Sequence, residues 1–184
     1  MFQYMPKAFY ENNVANILEQ IRYHYGMLTR KGYIHGLIAI DQNAKIIAID
    51  PRFDKNINYW DLSSIGAALY GVARQAQDFF DSESLVRATL IYNNLKLFVK
   101  SIGKIKIPER DNREILILLL VSNEVNIGVL ILQMNKFAPK LKKTIMEDNN
   151  ILNKLKMTEE ELKEHIRQLK DKAFQSISIT SIER

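Results

Sequence analysis

Hydrophobic residues at the start of the chain first repeat at helical spacing and then cluster in short β-branched runs. Apolar residues between Val14 and Leu28 recur at steps of three and four, behind the candidate N-cap Asn12, which predicts a first helix. Residues 37–40 and 46–49 are rich in isoleucine and are separated by five mainly polar residues. This arrangement predicts a β-hairpin after the first helix.

The longest amphipathic segment runs from Leu62 to Phe80, and Asp61 is its expected N-cap. At about 100° per residue, its large apolar residues fall on one broad stripe. We expect this stripe to cover a sheet. The stripe consists of Leu62, Ile65, Ala68, Leu69, Val72, Ala73, Ala76, Phe79 and Phe80.

The opposite face of the same helix carries small residues where a solvated helix would carry lysine and glutamate. Gly66 and Gly71 each cost about 1 kcal/mol of helix stability relative to alanine. Their presence favours close packing by another backbone, and a solvated glycine pair is the alternative. We therefore expect a self-association or partner surface here. The face consists of Ser63, Gly66, Ala67, Tyr70, Gly71, Arg74 and Gln77.

Three further strands are predicted at residues 86–92, 95–99 and 114–122. The third is the most apolar, which indicates a central strand covered on both faces. Helical spacing returns from residue 127 to about 145, although Pro139 is expected to kink or interrupt this helix. The sequence thus predicts an α/β (α+β) fold with element order α-β-β-α-β-β-β-α. Its five-stranded, mainly antiparallel sheet has helices on both faces.

The predicted domain covers residues 1–145, and residues 146–184 form a C-terminal helical extension. Thr158 and Glu161 make a capping box at the start of a narrow apolar seam. The seam is too short for an independent coiled coil, so it is expected to dock on its own domain, on a dimer mate or on another protein. The seam consists of Leu162, Ile166, Leu169 and Ala173.

The chain has 184 residues and a formal net charge of +5, much of which is concentrated in one segment. Residues 136–156 hold six lysines, from Lys136 to Lys156, against Glu147 and Asp148. This segment is a candidate contact for an anionic membrane or an acidic protein, and a solvated helix face is the alternative. Nucleic acid is not expected as a partner, because Phe137 is the one aromatic residue among these lysines and no zinc-finger or RNP-type motif is present.

The composition also limits which cellular compartment and which side-chain chemistry can be expected of this chain. Without any cysteine the chain has no disulfide, thiolate metal site or cysteine nucleophile. Its first residues lack a basic segment followed by an apolar run, so no signal peptide is predicted. We expect a cytoplasmic protein, with peripheral contact at a membrane as an option.

No catalytic, cofactor-binding or metal site is predicted. Ser101 and Lys104 match the Ser-x-x-Lys spacing of β-lactamases, but the companion motifs of those enzymes are missing. Asp41 and Asn43 begin like a calcium loop, but Lys45 occupies the next ligand position. Glycines are scattered rather than gathered in a phosphate-binding loop. The chain is therefore expected not to be an enzyme and to need no cofactor.

Three segments and their spacing resemble a Roadblock (dynein light chain type) domain. These are residues 36–41 (GLIAID), residues 45–48 (KIIA) and residues 126–130 (NIGVL), with the long helix between the second and the third. The resemblance spans roughly residues 12–145. One departure lies in the first hairpin, where the family has glycine and this chain has Asn43 and Ala44. Asn43 is expected to supply the left-handed conformation.

The resemblance implies a homodimeric or Roadblock-type heterodimeric module with sheets joined edge to edge and long helices side by side. It further implies a non-enzymatic scaffold or regulator that binds small Ras-like GTPases. This agrees with the small-residue face of the long helix. The predicted dimer or partner interface consists of Ser63, Gly66, Ala67, Tyr70, Gly71, Arg74, Arg87, Thr89 and Ile91.

Two other classes of function remain open at this level. A ligand-sensing domain of the PAS or GAF type also packs helices on an antiparallel sheet, but it needs an internal pocket with polar groups. A longin-like membrane-trafficking adaptor would place strands before the first helix, whereas here the helix between Val14 and Leu28 comes first.

Overall fold

The computed structural model describes residues 5–108, 110–157, 160, 161 and 164. The expected seam between Leu162 and Ala173, and Thr158 of its capping box, lie outside the described residues. The helices and strands are α1 (Lys7–Tyr10), α2 (Asn13–Leu28), β1 (Ile34–Asp41), β2 (Ile46–Ile49), α3 (Tyr59–Phe79), β3 (Ala88–Ile91), β4 (Leu95–Ile105), β5 (Arg113–Ser122), α4 (Ile127–Glu147) and α5 (Asn149–Lys156).

The five strands form one antiparallel sheet in the order β2-β1-β5-β4-β3. The predicted five-stranded sheet is confirmed. β5 is the central strand, and its residues from Glu114 to Val121 are buried, because helices cover both sides of it. In the described residues β3 pairs with β4 alone, so its other edge carries backbone groups without a strand partner.

Helices pack on both faces of the sheet, as predicted. Because side chains alternate along a strand, Ile117 and Leu119 of β5 join the core beneath α2, α4 and α5. We call this side the first face. Leu116 and Leu118 point the other way, into the core beneath α1 and α3, which we call the second face.

Helix N-caps follow local side-chain geometry. Asn12 caps α2, as predicted, since its side chain accepts a hydrogen bond from Ala15 N at 2.8 Å. The prediction that Asp61 caps the long helix is wrong. Asn58 is the cap, and its side chain accepts hydrogen bonds from the amides of Trp60 and Asp61. Asp61 therefore lies in the first turn, where a carboxylate interacts favourably with the helix dipole.

Two other local expectations differ from the structure. α4 continues through Pro139 to Glu147, so the proline does not interrupt it, and a kink at this residue stays a prediction. In the first hairpin the left-handed residue is Ala44, with φ of 64°, and not Asn43. The carboxylate of Asp41 shapes this turn, because its Oδ1 accepts from the amides of Asn43 and Lys45 at 2.9 Å each.

α5 lies beyond residue 145, yet it packs on the first face. Ile151 and Leu155 are buried in the core under this helix. The ammonium of Lys45 donates to the carbonyl oxygens of Leu155, at 3.4 Å, and Met157, which satisfies free carbonyls at the helix end. Burial lowers the pKa of Lys45, while the nearby Asp41 opposes this shift. The boundary at residue 145 itself stays a prediction.

Truncating Leu155 to alanine tests the contribution of α5 to the core. We expect Leu155→Ala to lower the free energy of unfolding by about 2–4 kcal/mol, since it leaves a cavity at a buried position. Asn150→Ala, at an exposed position of the same helix, is the control, with a change within about 0.5 kcal/mol. Urea unfolding followed by circular dichroism measures both. Equal midpoints would mean that α5 adds nothing to the core.

Candidate functional site

The long helix α3 packs its small residues against the sheet together with Leu62 and Leu69 of the apolar stripe. Ser63, Gly66 and Tyr70 are buried and recur at helical spacing. A Cβ atom added to Gly66 would lie 2.1 Å from Leu118 Cδ2. The glycine therefore permits a close approach of α3 to β5. The prediction that Ser63, Gly66 and Tyr70 form an outward interface is wrong, because these residues face their own sheet.

The outward side of α3 carries large apolar residues instead. Ile65, Val72 and Phe79 are 48%, 67% and 87% exposed, and they follow one another at seven-residue steps. Ala68 lies between the first two and is also exposed. Such spacing is that of a helix that packs against another helix along one seam. We call these four residues the α3 seam. Exposed apolar patches of this kind mark interaction sites.

The edge strand β3 lies beside α3. Ala88 and Leu90 pair with Val99 and Leu97 of β4 and share the second face with α3. Alternation places Thr89 and Ile91 on the opposite side of the strand, and Ile91 is 71% exposed. The α3 seam and the unpaired edge of β3 are thus neighbouring surfaces of one domain.

The other predicted interface residues lie around this site. Ala67 is partly buried, and a Cβ atom added to Gly71 would meet nothing within 4 Å. Arg74 and Arg87 are exposed. The interface role of these four residues, and of Thr89 and Ile91, stays a prediction. Sequence reasoning missed the α3 seam because it assigned those residues to the core, although the seven-residue spacing was visible.

A buried carboxylate on β5 ties α3 to the sheet. Tyr70 Oη donates to Glu114 Oε1 at 2.8 Å, and Arg74 Nη1 donates to Glu114 Oε2. Burial, followed by the hydrogen bond to Glu114, raises the pKa of Tyr70 to about 12. The two polar residues therefore have a structural partner within the domain. This arrangement fixes which side of α3 faces the sheet.

The Tyr70 phenol is expected to ionise near pH 12 in an alkaline titration followed by the ultraviolet absorbance of tyrosinate. Its folded pKa lies above the ordinary value of 10.0, so its contribution to stability is fully present below pH 10 and lost as the pH rises towards 12. Tyr70→Phe should remove this phase and lower the free energy of unfolding by about 1–3 kcal/mol, because it leaves Glu114 Oε1 buried without a partner. Tyr23→Phe, at an exposed position, is the control. An unchanged titration in Tyr70→Phe would contradict the assignment.

Solved structures of several proteins share this arrangement of strands and helices. The gliding protein MglB from Thermus thermophilus aligns with a TM-score of 0.59 at 14% identity, over 80% of this chain and 97% of that one. A Roadblock/LC7 domain from Streptomyces avermitilis aligns with a TM-score of 0.53 at 16% identity, over 70% and 98%. The chain has the Roadblock fold. Myxococcus xanthus MglB also aligns, with a TM-score of 0.54 at 12% identity, over 71% of this chain and 92% of that one.

At these identities the likeness extends to the Roadblock fold and no further. No protein-family model and no curated protein sequence matches the chain. Within the residues that the structure describes, no cluster of three or more metal-ligating side chains is found. No helix in that described part of the chain is long and apolar enough to cross a membrane.

Proposed function

We propose that this protein is a non-enzymatic, dimeric scaffold or regulator that binds small Ras-like GTPases. One observation carries the proposal: the apolar α3 seam lies exposed beside the unpaired edge of β3. The Roadblock fold supports it, because the resemblance to the Roadblock family implies GTPase binding. Two MglB structures share this fold, and one of them is described as a gliding protein. Another aligned structure is described as MglB with a tetrameric arrangement.

A two-fold symmetric dimer would bury the α3 seam and pair the open edge of β3 at the same time. Antiparallel pairing of β3 with β3 of a second copy gives hydrogen-bond partners to the open edge. The same symmetry brings the two α3 helices side by side, so that Val72 and its seam neighbours leave water. A heterodimer with another Roadblock chain would use the same strand and helix.

The GTPase would bind the composite surface that the two helices and the joined sheet create. Such a surface is large enough for a standard interface of about 1,600 Å² in total. The switch regions of small GTPases are ordered in one nucleotide state and mobile in the other. Binding to these regions would therefore depend on the nucleotide, and the chain itself needs no cofactor.

Affinity purification followed by a direct binding measurement tests the GTPase proposal. The chain is used as bait in a lysate of the source organism, and any enriched GTPase is then purified and loaded with GDP or a non-hydrolysable GTP analogue. We expect calorimetry to give affinities for the two states that differ by about tenfold or more, and the chain alone to bind no GTP. Equal affinity in both states would contradict the proposal. A small molecule that copurifies with the chain, with no GTPase enriched, would favour the PAS- or GAF-type sensor.

A further inference from the structure

The outer side of the first face combines exposed apolar side chains with an excess of positive charge. α2 and α4 lie side by side, since Lys140 Nζ donates to Gln20 Oε1 at 3.0 Å and the His24 and Phe137 rings are 5.3 Å apart. These pairs run in opposite directions along the two helices. The C-terminal half of α2 therefore lies beside the N-terminal half of α4.

Large apolar residues protrude from this helix pair into solvent. Met27 is 70% and Leu132 is 66% exposed, and Tyr23 and Leu28 are exposed as well. None of these residues belongs to either core of the sheet. They lie on the face opposite to the α3 seam, so an edge-to-edge dimer through β3 does not cover them.

The two chain segments that form this surface contain basic residues and no acidic ones. Residues 125–146 hold four lysines, and residues 20–40 hold Arg30 and Lys31, with no aspartate or glutamate in either segment. Arg22 lies in the second segment too, but its side chain is mostly buried and pairs with Asp50. Acidic groups on adjoining segments already have partners nearby. Glu19 pairs with Arg52, and the other close pairs are Asp50 with Arg22 and Glu147 with Lys143. Glu124, in the turn before α4, is exposed.

We propose that this surface, which we call the basic helix surface, docks on an anionic phospholipid membrane. Tyrosine, methionine and leucine side chains on outer helix faces, with lysine and arginine around them, are typical of helices that lie in the membrane interface. Each cation near an anionic leaflet adds to the attraction. Nucleic acid fits less well, because the exposed aromatic residues of the two segments, Tyr23 and Tyr33, do not interleave with the lysines of α4.

The proposal does not depend on GTPase binding. In the edge-to-edge dimer, the two-fold axis is perpendicular to the joined sheet. The first faces of both copies therefore point to the same side. Two basic helix surfaces can then contact one membrane, which strengthens binding by increasing the effective concentration of the second contact. A monomer retains one surface and binds more weakly.

Vesicle flotation with the full chain tests the proposal. We expect the chain to float with vesicles of phosphatidylcholine and phosphatidylserine at a ratio of about 7:3, to stay in solution with phosphatidylcholine alone, and to dissociate as salt rises. Lys136→Glu combined with Lys140→Glu should weaken partitioning more than about tenfold. Lys104→Glu combined with Lys106→Glu is the control, because both residues are exposed on β4 and the segment after it. This control carries the same net charge.

Two results would overturn the proposal. One is failure of the wild-type chain to float with the anionic vesicles at low salt, and the other is equal loss in the two charge-reversed variants, which would show attraction to net charge alone. If the wild-type chain does not float but binds an oligonucleotide through Lys136 and Lys140, the membrane proposal fails and the surface is a nucleic-acid surface instead. Thermal unfolding of both variants verifies that they fold.

Insertion of the apolar residues is tested separately. Because the chain lacks cysteine, Met27→Cys gives a single site for an environment-sensitive fluorophore. Its emission should shift to the blue with anionic vesicles, whereas the same label on Lys104→Cys should not respond. An unchanged emission at residue 27 while the chain floats would place the contact elsewhere and overturn the assignment of this surface.

Discussion

Replacement of Val72 by glutamate is expected to convert the dimer into monomers. Val72 lies at the middle of the α3 seam and is 67% exposed in the single chain, so the substitution leaves both cores intact. In the dimer, however, it buries two unpaired carboxylates between the helices. We expect self-association to weaken by about 3 kcal/mol or more, which corresponds to more than about a hundredfold in the dissociation constant.

Light scattering of the purified chain at micromolar concentration measures this effect. Met146→Glu is the matched control, because it adds the same charge at an exposed apolar residue of α4, on the first face. It should keep the mass of the wild type. If Val72→Glu also keeps that mass, the α3 seam is not the dimer contact, whereas a wild-type chain that is monomeric would refute the dimer itself.

Alanine substitution at the two glycines of α3 is expected to have opposite effects on stability. Gly66→Ala places a methyl group 2.1 Å from Leu118 Cδ2 in the second-face core, and overpacking of this kind costs about 1–3 kcal/mol. At Gly71 the added methyl group meets nothing within 4 Å. Gly71→Ala should therefore stabilise the chain by up to about 1 kcal/mol, since alanine is the better helix former.

Each glycine variant serves as the control for the other, because the chemical change and the helix are the same. Urea unfolding gives both free energies, and the difference between the variants is the informative quantity. Stabilisation of similar size in both variants would mean that neither glycine lies against the sheet and that α3 presents its other side to it. That result would restore the small-residue face as the outward surface.

The periodic patterns of the sequence predicted the secondary structure and the fold class. All five strands and the three long helices lie where apolar spacing placed them, because strand and helix periods of about 2.0 and 3.6 residues are properties of the local backbone. The nearly unbroken run in β5 indicated a strand buried on both faces, and β5 is the central strand. The order and spacing of the segments further carried the resemblance to the Roadblock domain, which the fold confirms.

Boundaries and turns were less predictable from the sequence. The cap of α3 is Asn58 and not Asp61, and both residue types cap helices well. Ala44, rather than Asn43, takes the positive φ because the Asp41 side chain binds the amides on either side of it. A single sequence does not reveal such competition between neighbouring residues of similar propensity.

By itself, the sequence determined that the long helix has one apolar face and one face of small residues, and that the chain lacks cysteine chemistry. Only the tertiary structure decided that the small residues meet the sheet, beside Leu62 and Leu69, while the rest of the large apolar residues stay exposed. The more apolar stripe has the larger hydrophobic driving force, but Gly66 allows a closer approach to Leu118. Tyr70 also reaches the buried Glu114, which is 44 residues away in the chain. Fit against distant residues has no local signature, so the orientation of α3, and with it the exposed seam, followed only from the packed fold.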